Sequence, residues 1–169
     1  MHRATTIFTL LILVMASAHA RVIEVGYGKP FTSLQPAVKM AIPGDTVRVH
    51  AGTYREGGMV IDKALVILGE GWPVLDGEGR FEIMAIRADN VQVSGFTFRR
   101  AGHSSLHDIA ALRIYYRSGV TVRDNRFENS YFAIYCQGAS ACRIIGNAIS
   151  SDAQSEISSG NGIHCWKCD

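Results

Sequence analysis

The chain has 169 residues, 47% of them apolar, with 17 Lys and Arg against 15 Asp and Glu, a formal net charge of +2. That length supports one hydrophobic core, because domains usually run to roughly 100–150 residues. No polyanionic partner follows from so even a charge balance, and nucleic-acid binding is not expected.

Residues 1–20 read as a secretory signal peptide. Arg3 is followed by an apolar run from Ile7 to Met15 and by Ala18-His19-Ala20, an A-x-A cleavage site before Arg21. The run is much shorter than the roughly 20 residues that span a bilayer, so cleavage is expected rather than anchoring. Removing Arg3 lowers the 17 cations to 16 against 15 acids, and residues 21–169 are expected as one periplasmic domain.

From Ser33 to Ile42 the residues Leu34, Ala37, Val38, Ala41 and Ile42 recur at helical spacing, with Ser33 placed to cap the start and Pro43-Gly44 to stop it. Strands are predicted next at Asp45–Val49, Ala64–Leu68 and Pro73–Gly77, separated by glycine-rich turns. An internal repeat follows: Val91–Phe98, Val120–Phe127 and Cys142–Ile149 each carry two alternating apolar residues, a Gly or Asp turn and a closing apolar residue. A second pattern precedes each copy, as Ala85-Ile86, Arg113-Ile114 and Ala133-Ile134, and it recurs at Gly162-Ile163.

Val120 and Cys142 are 22 residues apart, too close for a strand–helix–strand crossover and well suited to a coil of strands and turns. The expectation is an all-β fold, a right-handed single-stranded parallel β-helix with an N-terminal capping helix. Alternation turns Val91, Val93, Val120, Val122, Cys142 and Ile144 inward. Asn125 and Asn147 hold equivalent turn positions, where their amides would stack and bond the backbone, while Phe96 breaks the ladder. The chain stops at Cys168-Asp169 as a new repeat begins, so a solenoid truncated at its C-terminal end is expected.

The connections Phe98–Ile114 and Ile149–Ile163 are about twice as long as Phe127–Ile134 and occupy the same place in their coils, so both insertions should emerge on one side. The first carries His103, His107 and Asp108, a candidate copper-ligand set or a solvated loop. His164 and Trp166 should face outward, as a partner or ligand surface or an ordinary surface pair. Arg123 and Arg143 are outward cations able to meet an acidic sugar, or a solvated face. Cys136 and Cys165 should lie inward on neighbouring strands, as buried thiols or a disulfide. Cys165-Trp-Lys-Cys168 is alternatively a copper or zinc pair, although a regular strand would put its cysteines on opposite faces.

The stretch Phe31–Val47, followed by Gly52-Thr-Tyr54-Arg-Glu56 and Gly69–Gly77, resembles the opening of the periplasmic maturation proteins of nitrous oxide reductase (NosD type). Tyr131–Tyr135 and Gly160–Trp166 resemble that family's repeats. The resemblance implies a pectin-lyase-like β-helix that helps deliver copper alongside an ATP-binding-cassette (ABC) transporter, without catalysis of its own. The cysteine cluster departs from the family's pattern. The alternative is a secreted lyase, hydrolase or epimerase, or a binder of acidic polysaccharide. Glycoside hydrolysis needs opposed carboxylates, which the repeat strands do not present.

Overall fold

The computed structural model describes residues 20–104, 106–153 and 160–169; apart from Ala20, the expected signal peptide lies outside them. After β1 (Val22–Val25) and α1 (Leu34–Met40) the chain makes five coils of three short strands. The first is β2 (Thr46–His50), β3 (Thr53–Tyr54) and β4 (Met59–Ile61), and the second β5 (Val66–Glu70), β6 (Val74–Asp76) and β7 (Met84–Ile86). The third is β8 (Gln92–Ser94), β9 (Thr97–Arg99) and β10 (Ala110–Tyr115); the fourth is β11 (Thr121–Arg123), β12 (Arg126–Glu128) and β13 (Phe132–Gln137). The last is β14 (Arg143–Ile145), β15 (Ala148–Ser150) and β16 (Ile163–Trp166). Sheet A is ordered β1-β2-β5-β8-β11-β14, sheet B β3-β6-β9-β12-β15 and sheet C β4-β7-β10-β13-β16. All strand pairs are parallel, so the fold is a parallel β-helix.

In-register pairing between coils converts alternation within strands into columns between them. Ile23, Val47, Ile67, Val93, Val122 and Ile144 are successive register partners along sheet A. Sheet B contributes Tyr54, Leu75, Phe98, Phe127 and Ile149, with the Phe98 and Phe127 rings stacked at 4.9 Å between centroids. Val91, Val93, Val120 and Val122 are fully buried. Cys142 and Ile144, expected to be buried, are only partly so. Both belong to the last coil, whose inward residues have a neighbour on one side.

Asn125 is buried and makes the expected ladder: its Nδ2 donates to the Val93 carbonyl at 3.1 Å and to Asn147 Oδ1 at 3.0 Å, and its Oδ1 accepts from the Phe96 N–H at 3.1 Å. Phe96 thus ends the amide ladder while its backbone still uses it. The left-handed residue falls one position earlier, at Gly95 (φ 82°), Asp124 (φ 52°) and Gly146 (φ 64°). At Gly95 a side chain would also collide, since a Cβ there lies 2.3 Å from the Gly69 carbonyl oxygen.

The helix closes the N-terminal end by burying Leu34, Ala37 and Val38. Ser33 stands at the N-cap position but its side chain makes no cap bond. Instead Glu56 reaches back from the first coil and accepts from the Leu34 and Gln35 N–H groups at 2.9 and 3.0 Å. At the other end Lys63 Nζ donates to the carbonyls of Val38, Lys39 and Ala41. Ile42, expected on the apolar face, is exposed because the helix ends before it and its N–H turns to Asp45.

Asp76 in β6 is a buried carboxylate that accepts from Arg99, from Arg100 and from the Glu78 N–H. Burial alone would raise its pKa, but these donors outweigh burial and hold it at about 2, below its ordinary 3.8. A depressed folded-state pKa adds stability above the unfolded value and loses it as pH falls through the folded one. The denaturant midpoint is therefore expected to fall as pH drops from about 4 towards 2. Asp76→Asn should flatten that segment of the curve; an unchanged slope in the variant would remove Asp76 from the explanation.

Candidate functional site

The outer face of sheet C differs from the other two in its side chains. Strands β10 and β13, six residues each, are the longest among the described residues. Across β10, β13 and β16, Leu112, Ile134 and Ile163 form one inward column, and Ile114, Cys136 and Cys165 another. Pleating then sends the intervening residues outward as two rows: Arg113, Tyr135 and His164, and Tyr115, Gln137 and Trp166. Arg87, just after Ile86 in β7, continues the second row, with its guanidinium 4.8 Å from the Tyr115 ring centroid.

Arg113 organises this face. Its guanidinium lies 4.6 Å from the Tyr115 ring centroid and 4.3 Å from that of Tyr135. Nη1 donates to the Asp108 carbonyl and Nη2 to Gln137 Oε1, each at 2.6 Å. Gln137 in turn donates to the Tyr116 hydroxyl at 2.6 Å. The Arg113 Nε–H is buried without a partner. Glu82 accepts from the Tyr115 hydroxyl at 3.1 Å; burial raises its pKa against the opposing pull of Tyr115, Arg113 and Arg87. Tyr135 donates to Asp108 Oδ2 at 3.3 Å, and burial, helped by that carboxylate, raises its own pKa. At neutral pH the Tyr135 hydroxyl is therefore a proton donor.

Next to this network, Asp108, Arg113, Phe132, Tyr135, Gln137, His164 and Trp166 line an open groove of about 420 Å³, within the range typical of small-ligand sites, roughly 300–1,000 Å³. The His164 ring packs on Tyr135 and Phe132 at 4.7 and 5.4 Å, and Trp166 is half exposed. The rings and fixed hydroxyl and amide groups of the groove, with the exposed Arg87 guanidinium further along the same face, suit a polar, ring-shaped ligand bearing negative charge.

The sequence candidates fall in several places. His164, Trp166 and Asp108 lie in this groove. Arg123 and Arg143 lie on sheet A, and they do not stack: Arg143 pairs in register with Thr121, and Arg123 with Ile145. Arg123 instead pairs with its neighbour Asp124 at 2.7 Å. His103 packs on Tyr131 at 4.6 Å, whereas Asp108 turns to Tyr135. Among the described residues no three His, Cys, Asp or Glu side chains gather so as to hold a metal. The two insertions do share a side, since Ala101 and His103 line one pocket with Ser151, Asp152 and Ala153. Cys168 turns inward, contrary to simple alternation, because the strand ends at Trp166 and Lys167 adopts φ 51°. Arg87, Arg113, Tyr115 and Glu82 were not singled out from sequence; what marks them is polar and aromatic residues recurring at outward positions of successive coils.

Fold and face together define a parallel β-helix protein with an aromatic and cationic strip on one sheet. The chain matches no protein-family model and no curated protein. Its structure is similar to the crystal structure of an alginate lyase from Paenibacillus sp. str. FPU-7, with a TM-score of 0.49 and 16% identity over 88% of this chain. The chain spans 65% of the length of that enzyme.

Proposed function

We propose that this protein binds an acidic, uronate-containing polysaccharide along the outer face of sheet C. The observation that carries the reading is the pair of outward rows, Arg113–Tyr135–His164 and Arg87–Tyr115–Gln137–Trp166, held in register by the coils beneath them. The rings offer stacking faces to sugars, Arg87 offers an exposed cation to a carboxylate, and Gln137 and Asp108 offer hydrogen bonds to hydroxyls. A rigid solenoid suits a polymer because it holds these groups at fixed spacing across several strands. The copper-delivery reading rests on the sequence resemblance at Phe31–Val47, Gly52–Glu56, Gly69–Gly77, Tyr131–Tyr135 and Gly160–Trp166.

The test is fluorescence titration of the Trp72→Phe variant, in which Trp166 is the sole tryptophan, with polygalacturonate, alginate and a neutral glucan. Saturable binding of an acidic polymer that weakens with added salt is expected, and no response to the glucan. Appearance of unsaturated uronate ends would extend the reading to a lyase. Stoichiometric uptake of copper with no response to either acidic polymer would replace it with the copper reading.

A further inference from the structure

All four cysteines gather at one end of the solenoid, along the corner where sheet C passes into sheet A. Cys136 and Cys165 are register partners on β13 and β16, both turned to the inward side. Cys136 is buried, while Cys165, in the last coil, is exposed. Cys168 Sγ donates to the Cys136 carbonyl at 3.3 Å, and Cys142 Sγ to that of Ser140 at 3.3 Å. Register partners on adjacent strands stand about 4.8 Å apart, inside the roughly 4.4–6.8 Å between Cα atoms that a disulfide needs.

We propose that Cys136 and Cys165 are a disulfide-forming pair that staples the fifth coil to the fourth directly beneath the outer face of sheet C. The thiols are free in this structure. Burial pushes the Cys136 thiol up to about 12, so the exposed Cys165 acts first. Its thiolate attacks one sulfur of an external disulfide, either a protein dithiol oxidant or a small-molecule disulfide. A mixed disulfide forms, the external S–S bond breaks, and one thiolate leaves. Cys136 then loses its proton and attacks the Cys165 sulfur, releasing the second external thiolate. Two protein thiols have been oxidised by two electrons, and the external disulfide has been reduced to two thiols that take up the protons. The link closes a ring that contains the Ser150–Gly162 insertion and fixes His164 and Trp166 against Tyr135 and Gln137, the neighbours of its own two cysteines. The staple does not depend on what binds the face.

The full chain is to be equilibrated with oxidised and reduced glutathione, denatured, alkylated and mapped by peptide mass spectrometry. The expected product is a Cys136–Cys165 linked peptide with Cys142 and Cys168 alkylated. Melting should rise by about 5–10 °C on oxidation, from the loop-closure entropy of a ring of this size. Cys165→Ser, at an exposed position that leaves the core intact, should abolish both the link and the redox dependence of melting. Cys142→Ser and Cys168→Ser should keep both. Four alkylated thiols under oxidising buffer, or a dominant link through Cys142 or Cys168, would overturn the assignment.

Discussion

Asn125→Ala is expected to cost about 3–5 kcal/mol, an exceptional loss for one substitution, because it strands several buried polar groups at once. Asn125 Oδ1 is the acceptor for the Phe96 N–H, and Nδ2 serves the carbonyls of Val93 and Arg123. Alanine leaves the Phe96 donor without that acceptor beside the fully buried Phe96 ring. Asn147→Ala should cost less, about 1–2 kcal/mol, because that residue is half-buried in the last coil and its Nδ2 serves the Val122 carbonyl. Asn125→Asp distinguishes lost bonds from lost volume. A carboxylate still accepts from Phe96 but faces three oxygens, those of Val93, Arg123 and Asn147. The aspartate variant should therefore be unstable at neutral pH and recover in mild acid, as protonation restores a donor. Chemical denaturation of the three variants across pH reads this directly; equal midpoints for Asn125→Ala and the parent would defeat the argument.

That same ladder shows why so much of this fold was legible. Coils that differ in length still repeat one short strand-and-turn pattern, so Val93, Val122 and Ile144 announce each other as stacked partners. Elements outside the repeat gave less. Strands β1, β3 and β4 are two to four residues long, and only their partners make them strands. The cap of α1 comes from Glu56, 22 residues past Leu34, a distance at which no local capping pattern operates. The candidate face was hidden for a related reason. Arg113 was visible as a strand residue, but its relation to Tyr135 and Glu82 depends on register, and the Phe98–Ile114 insertion obscures the count back to Glu82. Cys168 was misplaced because alternation was continued past the end of β16, where Lys167 reverses the chain.

Register also decides which residue on the face matters most, and the prediction falls on Arg113 rather than on the more exposed Arg87. Arg87 can touch a ligand carboxylate, and Arg87→Ala should remove one salt-sensitive contact, weakening binding about tenfold, or roughly 1.4 kcal/mol. Arg113 is largely buried, with its side chain 13% exposed, and holds Tyr115, Tyr135, Asp108 and Gln137 in place. Arg113→Met keeps the packed stem but removes the fork, so the rings lose their shared cation and Gln137 its donor. It also leaves Glu82 without the Arg113 charge 4.0 Å away. A loss of about 100-fold in affinity for an acidic polymer is expected, larger than that for Arg87→Ala. Arg113→Lys should fare little better, since an ammonium on a flexible stem does not reproduce two planar donors between two rings. The salt dependence separates the roles: the Arg87 variant should show a shallower decline of affinity with salt, whereas the Arg113 variants should lose affinity at every ionic strength. If Arg113→Met bound as tightly as the parent while remaining folded, the ordered rows of sheet C would not be the binding face.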